Sequence, residues 1–255
     1  MISVFTACDF TEQDDSVPNL TNGRLTEKGR WTLMVYMAAD NDLEPQVLSD
    51  TLEMVNGYTE HDDLTVILLV DRADSSVIGN TDEPGIFGEN FSDTRMYRLT
   101  SEGVERISGG AEFPEITQTS VYEANTGDAQ NLKKFIRSVK AQYPADKYGL
   151  ILWNHGAGPR SIGSVDVRFD TRDIGFDSGS DEDSLFIGEI SDVLGAEESV
   201  DFLGFDACLM GSVEIAYQFR RGSGDFSAHI MVASPDREWF KGWDYEAVFR
   251  RISST

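Results

Sequence analysis

Continuous apolar runs alternate along the chain with segments whose apolar residues recur every three or four positions. WTLMVYMAA (31–39) and LTVILLVDR (64–72) have the pattern of parallel strands covered on both faces. Between them, NDLEPQVLSDTLEMVNG reads as a helix capped by Asp42 and closed by Gly57. MYRLT and GVERIS alternate around Ser-Glu, which predicts an antiparallel hairpin beside the main sheet. Leu132, Phe135, Ile136 and Val139 share one face of a helix over 126–143 that Pro144 ends. YGLILWNHG (148–156), VDFLGFDAC (200–208) and HIMVAS (229–234) predict three further strands. LFIGEISDVLG, SVEIAYQFRR and GWDYEAVF carry helical spacing. Strands that alternate with helices in this order predict an α/β fold of three layers with a mainly parallel central sheet.

The ends of the chain read differently. Residues 9–30 are polar with few aromatics, so 1–30 is expected to be a leader and flexible tether, and 31–255 the folded domain. The last helical pattern has no stop signal, which predicts that the domain is truncated at 255. In the opening MISVFTACDF, FTAC followed by Asp resembles a degraded lipobox. This predicts a secreted or surface protein with a lipid anchor at Cys8 and a true start upstream; an ordinary disordered terminus is the alternative.

Charge narrows the partners. With 45 acidic and 21 basic residues the formal charge is −24, which repels nucleic acid and anionic lipid and attracts basic peptides or cations. No apolar run reaches the roughly 18 residues a membrane span needs. Two cysteines cannot build a disulfide framework, and three histidines supply a zinc cage poorly.

In a doubly wound sheet, ligands bind beyond the carboxyl ends of the strands. His155 closes one apolar run within WNHG and Cys208 another within FDAC. A thiol there is expected near the N-terminus of the next helix, whose dipole favours thiolate, while an imidazole takes the proton. A structural cysteine and a satisfied core histidine are the competing readings. Asp206, two residues before Cys208, falls on the same strand face, where it lines a specificity pocket or caps the next turn. GFDSGSDEDSLFIGE lacks the glycine and glutamate of an EF-hand. An irregular calcium site on Asp177, Asp181 or Asp183 competes there with a plain solvated loop.

Four blocks, TLMVYMAADNDLE, YGLILWNHGAG, VDFLGFDACLMGSVEIAY and ASPDREWFKGWDYEAVF, resemble in this order the clostripain family of cysteine peptidases, grouped with caspases, legumains and gingipains. The resemblance covers about residues 31–250 and implies a caspase-like sandwich. It implies His155 as catalytic histidine, Cys208 as nucleophile and the Gly156 and Cys208 N–H groups as oxyanion hole. It implies Asp206 as a determinant of cleavage after Arg or Lys, no cofactor for the chemistry itself, and a calcium requirement found in some relatives. SPDREWFKGWDY departs from the acidic residue and Pro-Gly pair that relatives carry before GW, so Asp236 or Glu238 supplies a second pocket charge only by analogy. Trp243 walls the pocket or merely packs, and Asp40 and Asn41 shape the loop.

The stretch from Ala157 to Asp183 carries Arg160, Arg168 and Arg172 with little apolar surface, so it is expected to be an exposed loop. Relatives mature by internal cutting between the histidine and cysteine segments. This points to self-cleavage after Arg168 or Arg172, because Arg160 lies too close to His155 to turn back. The expected activity is that of an endopeptidase acting on peptides or proteins with basic residues. The alternative is a non-catalytic surface module that holds basic peptides in the same acidic cleft.

Overall fold

Strands apolar on both faces set the architecture, which a computed structural model describes for residues 3–6, 30–60, 62–74, 76, 80–158, 173–177, 183–222, 226–239 and 241–253. The chain runs from β1 (Ser3–Thr6) and β2 (Trp31–Ala39) to α1 (Glu44–Gly57), β3 (Leu64–Arg72), β4 (Thr94–Thr100), β5 (Gly103–Ile107) and α2 (Ala129–Gln142). It continues through β6 (Lys147–Trp153), β7 (Asp173–Asp177), β8 (Asp183–Phe186), α3 (Ile187–Val193) and β9 (Val200–Asp206). The last elements are α4 (Val213–Gln218), β10 (Ala228–Ala233) and α5 (Tyr245–Ser253). One sheet has the order β1-β10-β9-β6-β2-β3-β4-β5, and β7 pairs with β8 in a separate hairpin. Strands β10, β9, β6, β2 and β3 are mutually parallel, while β1, β4 and β5 join antiparallel at the two edges.

Alternation along the strands feeds two cores. Met34, Tyr36 and Ala38 of β2, with Ile67 and Leu69 of β3, pack beneath Leu132, Phe135, Ile136 and Val139 of α2. On the opposite face Leu33, Val35 and Met37, with Val66, Leu68 and Val70, meet Val47 and Met54 of α1 and Phe249 of α5. Burying each such side chain contributes about 1.5–3 kcal/mol, so neither face tolerates a register slip. The result is the expected three-layer α/β sandwich. Glu44, at the start of α1, is fully buried against the Arg72 guanidinium at the end of β3, which ties that helix to the carboxyl edge of the sheet.

Three local expectations change. α1 does not use Asp42 as its cap: the helix begins at Glu44, and the Leu43 N–H instead donates to Asn41 Oδ1 at 2.9 Å. The leader is not wholly a tether, because residues 3–6 pair with β10 from Ser3↔Ala233 to Thr6↔Ile230. A short β-prone segment thereby covers backbone groups that β10 would otherwise leave open at an edge. Cys8 lies outside the described residues. The polar stretch before α3 is not all loop: β7 and β8 form a hairpin, and Ile174, Asp177 and Leu185 are buried. With so few apolar residues, the pattern could not reveal it.

Candidate active site

β2 has β6 on one side and β3 on the other, so the chain turns opposite ways there and leaves a crevice at the carboxyl ends. Three strand ends converge on it: Asp40-Asn41-Asp42 after β2, Asn154-His155-Gly156 after β6, and Ala207-Cys208 after β9. Asn41 Nδ2 donates to Ala38 O at 3.0 Å and to Asn154 Oδ1 at 3.3 Å, and Asn154 Nδ2 donates to the same Ala38 carbonyl. The Asn154 side chain also accepts the His155 N–H. These bonds fix the first two strand ends to each other. His155 Nε2 lies 2.8 Å from Asp42 Oδ1, and both side chains are exposed. Asp42, read from sequence as a cap, instead lies within hydrogen-bond distance of the imidazole.

Gly156 sets the approach to the third strand end. A Cβ there would stand 2.2 Å from Cys208 O and 3.1 Å from Cys208 N, so any larger residue would push the histidine and cysteine segments apart. The Cys208 thiol is free and half-buried, and accepts the Glu238 N–H at 3.3 Å. Leu209 follows with φ +64°, a left-handed conformation that costs a non-glycine residue about 1–2 kcal/mol. Its N–H is held by Asp236 O at 3.0 Å. The helix-dipole expectation fails: α4 starts only at Val213, is six residues long and uses Ser212 as its cap. The backbone donor at Glu238 faces the sulfur instead.

A cavity of about 260 Å³ opens beside the thiol, lined by His155, Cys208, Asp206, Glu238, Asp50 and Trp239 among others. Asp206 is 4% exposed, and the Trp243 N–H reaches its Oδ2 at 3.4 Å. Burial lifts its pKa above the ordinary carboxylate range. Glu238 is pushed up to about 8 by burial and then by Asp206, and its Oε1 accepts Trp243 Nε1–H at 3.3 Å. Asp50, on α1, is pushed up to about 7 by burial, with Asp206 adding to the rise and a 2.8 Å bond from Trp153 Nε1–H opposing it. Among the described residues lining the cavity there is no lysine or arginine. Such a site is complementary to a cation.

His155, Gly156, Cys208 and Asp206 thus meet at one place. Asp236 does not join them: it is exposed, and its Oδ1 accepts the Arg237 N–H at 2.7 Å. Glu238 is the acid of that segment that lines the cavity. Trp243 is half-buried behind the wall, against Gly204 and bonded to Glu238. The sequence reading missed Asp42 and Asp50. For Asp50 the signal was an acid between Val47 and Met54, at a helical position where the spacing calls for an apolar residue.

Of the expected calcium ligands, Asp177 and Asp183 are register partners across the β7–β8 hairpin. Asp177 Oδ2 accepts the Thr126 N–H at 2.7 Å, Asp183 Oδ2 accepts Asn125 Nδ2 at 2.7 Å, and Asp181 lies outside the described residues. Among the described residues no group of three or more His, Cys, Asp or Glu side chains is arranged to hold a metal ion. Arg160, Arg168 and Arg172 also lie outside the described residues. Among those described, no helix is long and apolar enough to cross a membrane.

A sequence profile described as the clostripain family matches residues 35–255. Clostripain of Hathewaya histolytica is 46% identical over 225 residues, which make up 88% of this chain and 42% of that protein. The chain therefore spans less than half the length of that relative. A secreted C11 cysteine protease from Bacteroides thetaiotaomicron, solved with an irreversible peptide inhibitor, superposes with a TM-score of 0.63 at 24% identity, covering 87% of this chain and 53% of that one. An inactive zymogen C11 protease from Parabacteroides distasonis gives 0.59 at 21%, over 88% and 53%. At these identities the two structures show a common fold.

Proposed function

The chain belongs to the clostripain family, and from that premise we propose that it is a cysteine endopeptidase that cuts on the carboxyl side of arginine or lysine. The observation that carries the reading is the convergence of a free thiol, an oriented imidazole and buried acids on one cavity. With Asp42 engaging Nε2, Nδ1 of His155 is the nitrogen left to exchange a proton with the thiol. The Cys208 thiolate attacks the scissile carbonyl, forming a C–S bond and shifting the carbonyl electron pair onto oxygen. The Gly156 and Cys208 N–H groups stabilise that oxyanion. Collapse expels the amine, which takes its proton from His155. Water, deprotonated by the same imidazole, then releases the acyl group from sulfur.

An arginyl chloromethyl ketone tests the dyad and the pocket together. Wild type should be labelled on Cys208, and Cys208→Ala should lose the label together with roughly three or more decades of kcat/KM. A module that only holds basic peptides stays unlabelled. Equal turnover of matched arginyl and norleucyl reporters would overturn the basic preference.

Two further readings belong to the same proposal. The chain is secreted, a reading supported by the secreted relative, and Cys8 is its lipid anchor, a reading supported by the FTAC-Asp pattern alone. It matures by self-cleavage after Arg168 or Arg172, a reading supported by the zymogen relative. Intact-mass analysis checks both: a lipid mass on the Cys8 peptide, and two fragments in wild type but not in Cys208→Ala. An unmodified Cys8, or equal nicking in both proteins, removes the corresponding reading.

A further inference from the structure

Among the exposed large apolar side chains of the described residues, Trp239 is the most open, at 90%, and it lines the cavity beside Cys208. Its backbone, by contrast, is pinned on both sides. The Glu238 N–H before it donates to Cys208 Sγ at 3.3 Å, and its own C=O accepts the Gly242 N–H at 2.8 Å. Gly242 has φ +59°, and a Cβ there would stand 2.9 Å from Asp206 Oδ1. The turn that begins at Trp239 is thus closed against Asp206. An uncovered indole on a fixed backbone meets a ligand with little main chain left to order.

We propose that Trp239 is the platform for the substrate residue immediately before the scissile basic residue, and makes the site prefer an aromatic or bulky aliphatic side chain there. The inference rests on the endopeptidase reading above and adds a second subsite to it. Sheet order supplies the direction. Cys208 follows β9, His155 follows β6 on one side of it, and Trp239 lies on the segment after β10 on the other. The leaving amine takes its proton from His155, so the departing half of the substrate lies towards β6. The acyl half lies towards β10, the side that carries Trp239.

Depth separates the two subsites. Asp206 is buried, and Glu238 is held inward by the bond from Trp243 Nε1–H, whereas a lining side chain as open as Trp239 stands at the mouth. In an extended peptide, consecutive side chains point to opposite sides from Cα atoms about 3.8 Å apart. When the basic side chain enters the acids, the preceding one therefore stays at the mouth. An indole presents an apolar face there that only a large apolar side chain covers. A cation over so exposed a ring keeps its water and gains little, so apolar contact decides.

The test compares reporter peptides with phenylalanine, leucine, lysine or glycine before a scissile arginine, each matched by a norleucine peptide, on wild type, Trp239→Phe and Trp239→Ala. Wild type should favour phenylalanine over glycine about tenfold in kcat/KM, mainly through KM. Trp239→Ala should abolish that ratio and Trp239→Phe should keep most of it; a merely structural role would lower all peptides in step. A second measurement needs no turnover: acrylamide quenching of the indole, taken as the difference between Cys208→Ala and Cys208→Ala/Trp239→Phe. Trp239 should be open to the quencher in the free protein, shielded by the phenylalanine peptide and less so by the glycine peptide. A wild type indifferent to that residue, a larger gain from lysine than from phenylalanine, an equal ratio in wild type and Trp239→Ala, or an indole already shielded in the free protein overturns this inference alone. Equal turnover of the arginine and norleucine peptides, with the phenylalanine preference still dependent on Trp239, overturns the basic-residue reading and leaves this inference standing.

Discussion

At the scale of single residues, Asp42 shows how a side chain acquires its role from what the backbone declines to use. Asn41 takes the Leu43 N–H, so Asp42 is released from capping and reaches His155 Nε2. The pair is exposed, 48% for the imidazole and 67% for the carboxylate, and solvent screens it. Its value is therefore orientation rather than charge. Asp42→Ala should lower kcat about tenfold with KM little changed, far less than the loss of Cys208, and Asp42→Asn should restore most of the rate because its Oδ1 can accept the same N–H. Steady-state kinetics of the three proteins check this; an alanine variant with wild-type kcat would mean that the imidazole needs no such support.

At the scale of elements, the carboxyl end of β3 meets the β7–β8 hairpin through an acid cluster. Asp71 is fully buried, accepts Thr94 Oγ1 at 2.7 Å and Thr126 Oγ1 at 3.1 Å, and has Asp177 and Glu123 as neighbours. Burial, then Glu123 and Asp177, hold its pKa well above the ordinary range. Glu123, at the solvent side of the cluster, is pushed up to about 8, by desolvation and then by Asp40 and Asp177. Both groups favour protons more in the folded than in the unfolded chain. Their stabilisation is thus complete below the ordinary carboxylate range near pH 4 and is lost as pH rises, for Glu123 through about 8 and for Asp71 as its own raised pKa is passed. Tm should fall between about pH 5 and pH 9. Self-repulsion from a charge of −24 has the same sign, so the discriminating variant is Asp71→Asn, which should flatten the fall and raise Tm at the alkaline end. Scanning calorimetry across that range decides; identical pH profiles for wild type and variant would refute the cluster as the cause. The cluster joins residues from separate parts of the sequence, and no local pattern announces it.

At the scale of the whole molecule, a cut anywhere in 159–172 leaves β2, β3 and β6 in one piece and β9 and β10 in the other. β9 lies between β6 and β10, paired with β6 from Gly149↔Phe202 to Trp153↔Asp206. Across the same divide, Arg137 of α2 bonds Glu198 and Lys140 bonds the Ser199 carbonyl. Separating the fragments would expose both cores, so they should co-elute in native buffer and part only in denaturant. Size-exclusion chromatography of cleaved protein, with each peak resolved by denaturing gel, checks this; separate native peaks would contradict it.

The sequence by itself determined the strands, their alternation with helices and the positions of His155, Asp206 and Cys208 near strand ends, because a strand covered on both faces must be apolar at nearly every position and its end is where polarity returns. It also marked the hairpin of β4 and β5, whose alternation reports a local burial period. Tertiary structure alone decided that Asp42 meets a histidine 113 positions away, that Glu238 and not Asp236 lines the cavity, and that Gln46 and Asp50 face it from α1. It likewise decided that residues 3–6 close an edge of the sheet and that β7 folds back beside Gly156. The reason is physical: burial repeats along the chain with the period of each element and is written locally. Which polar side chains face one another depends on strand order, register and packing between segments distant in sequence, and these exist only once both cores have formed.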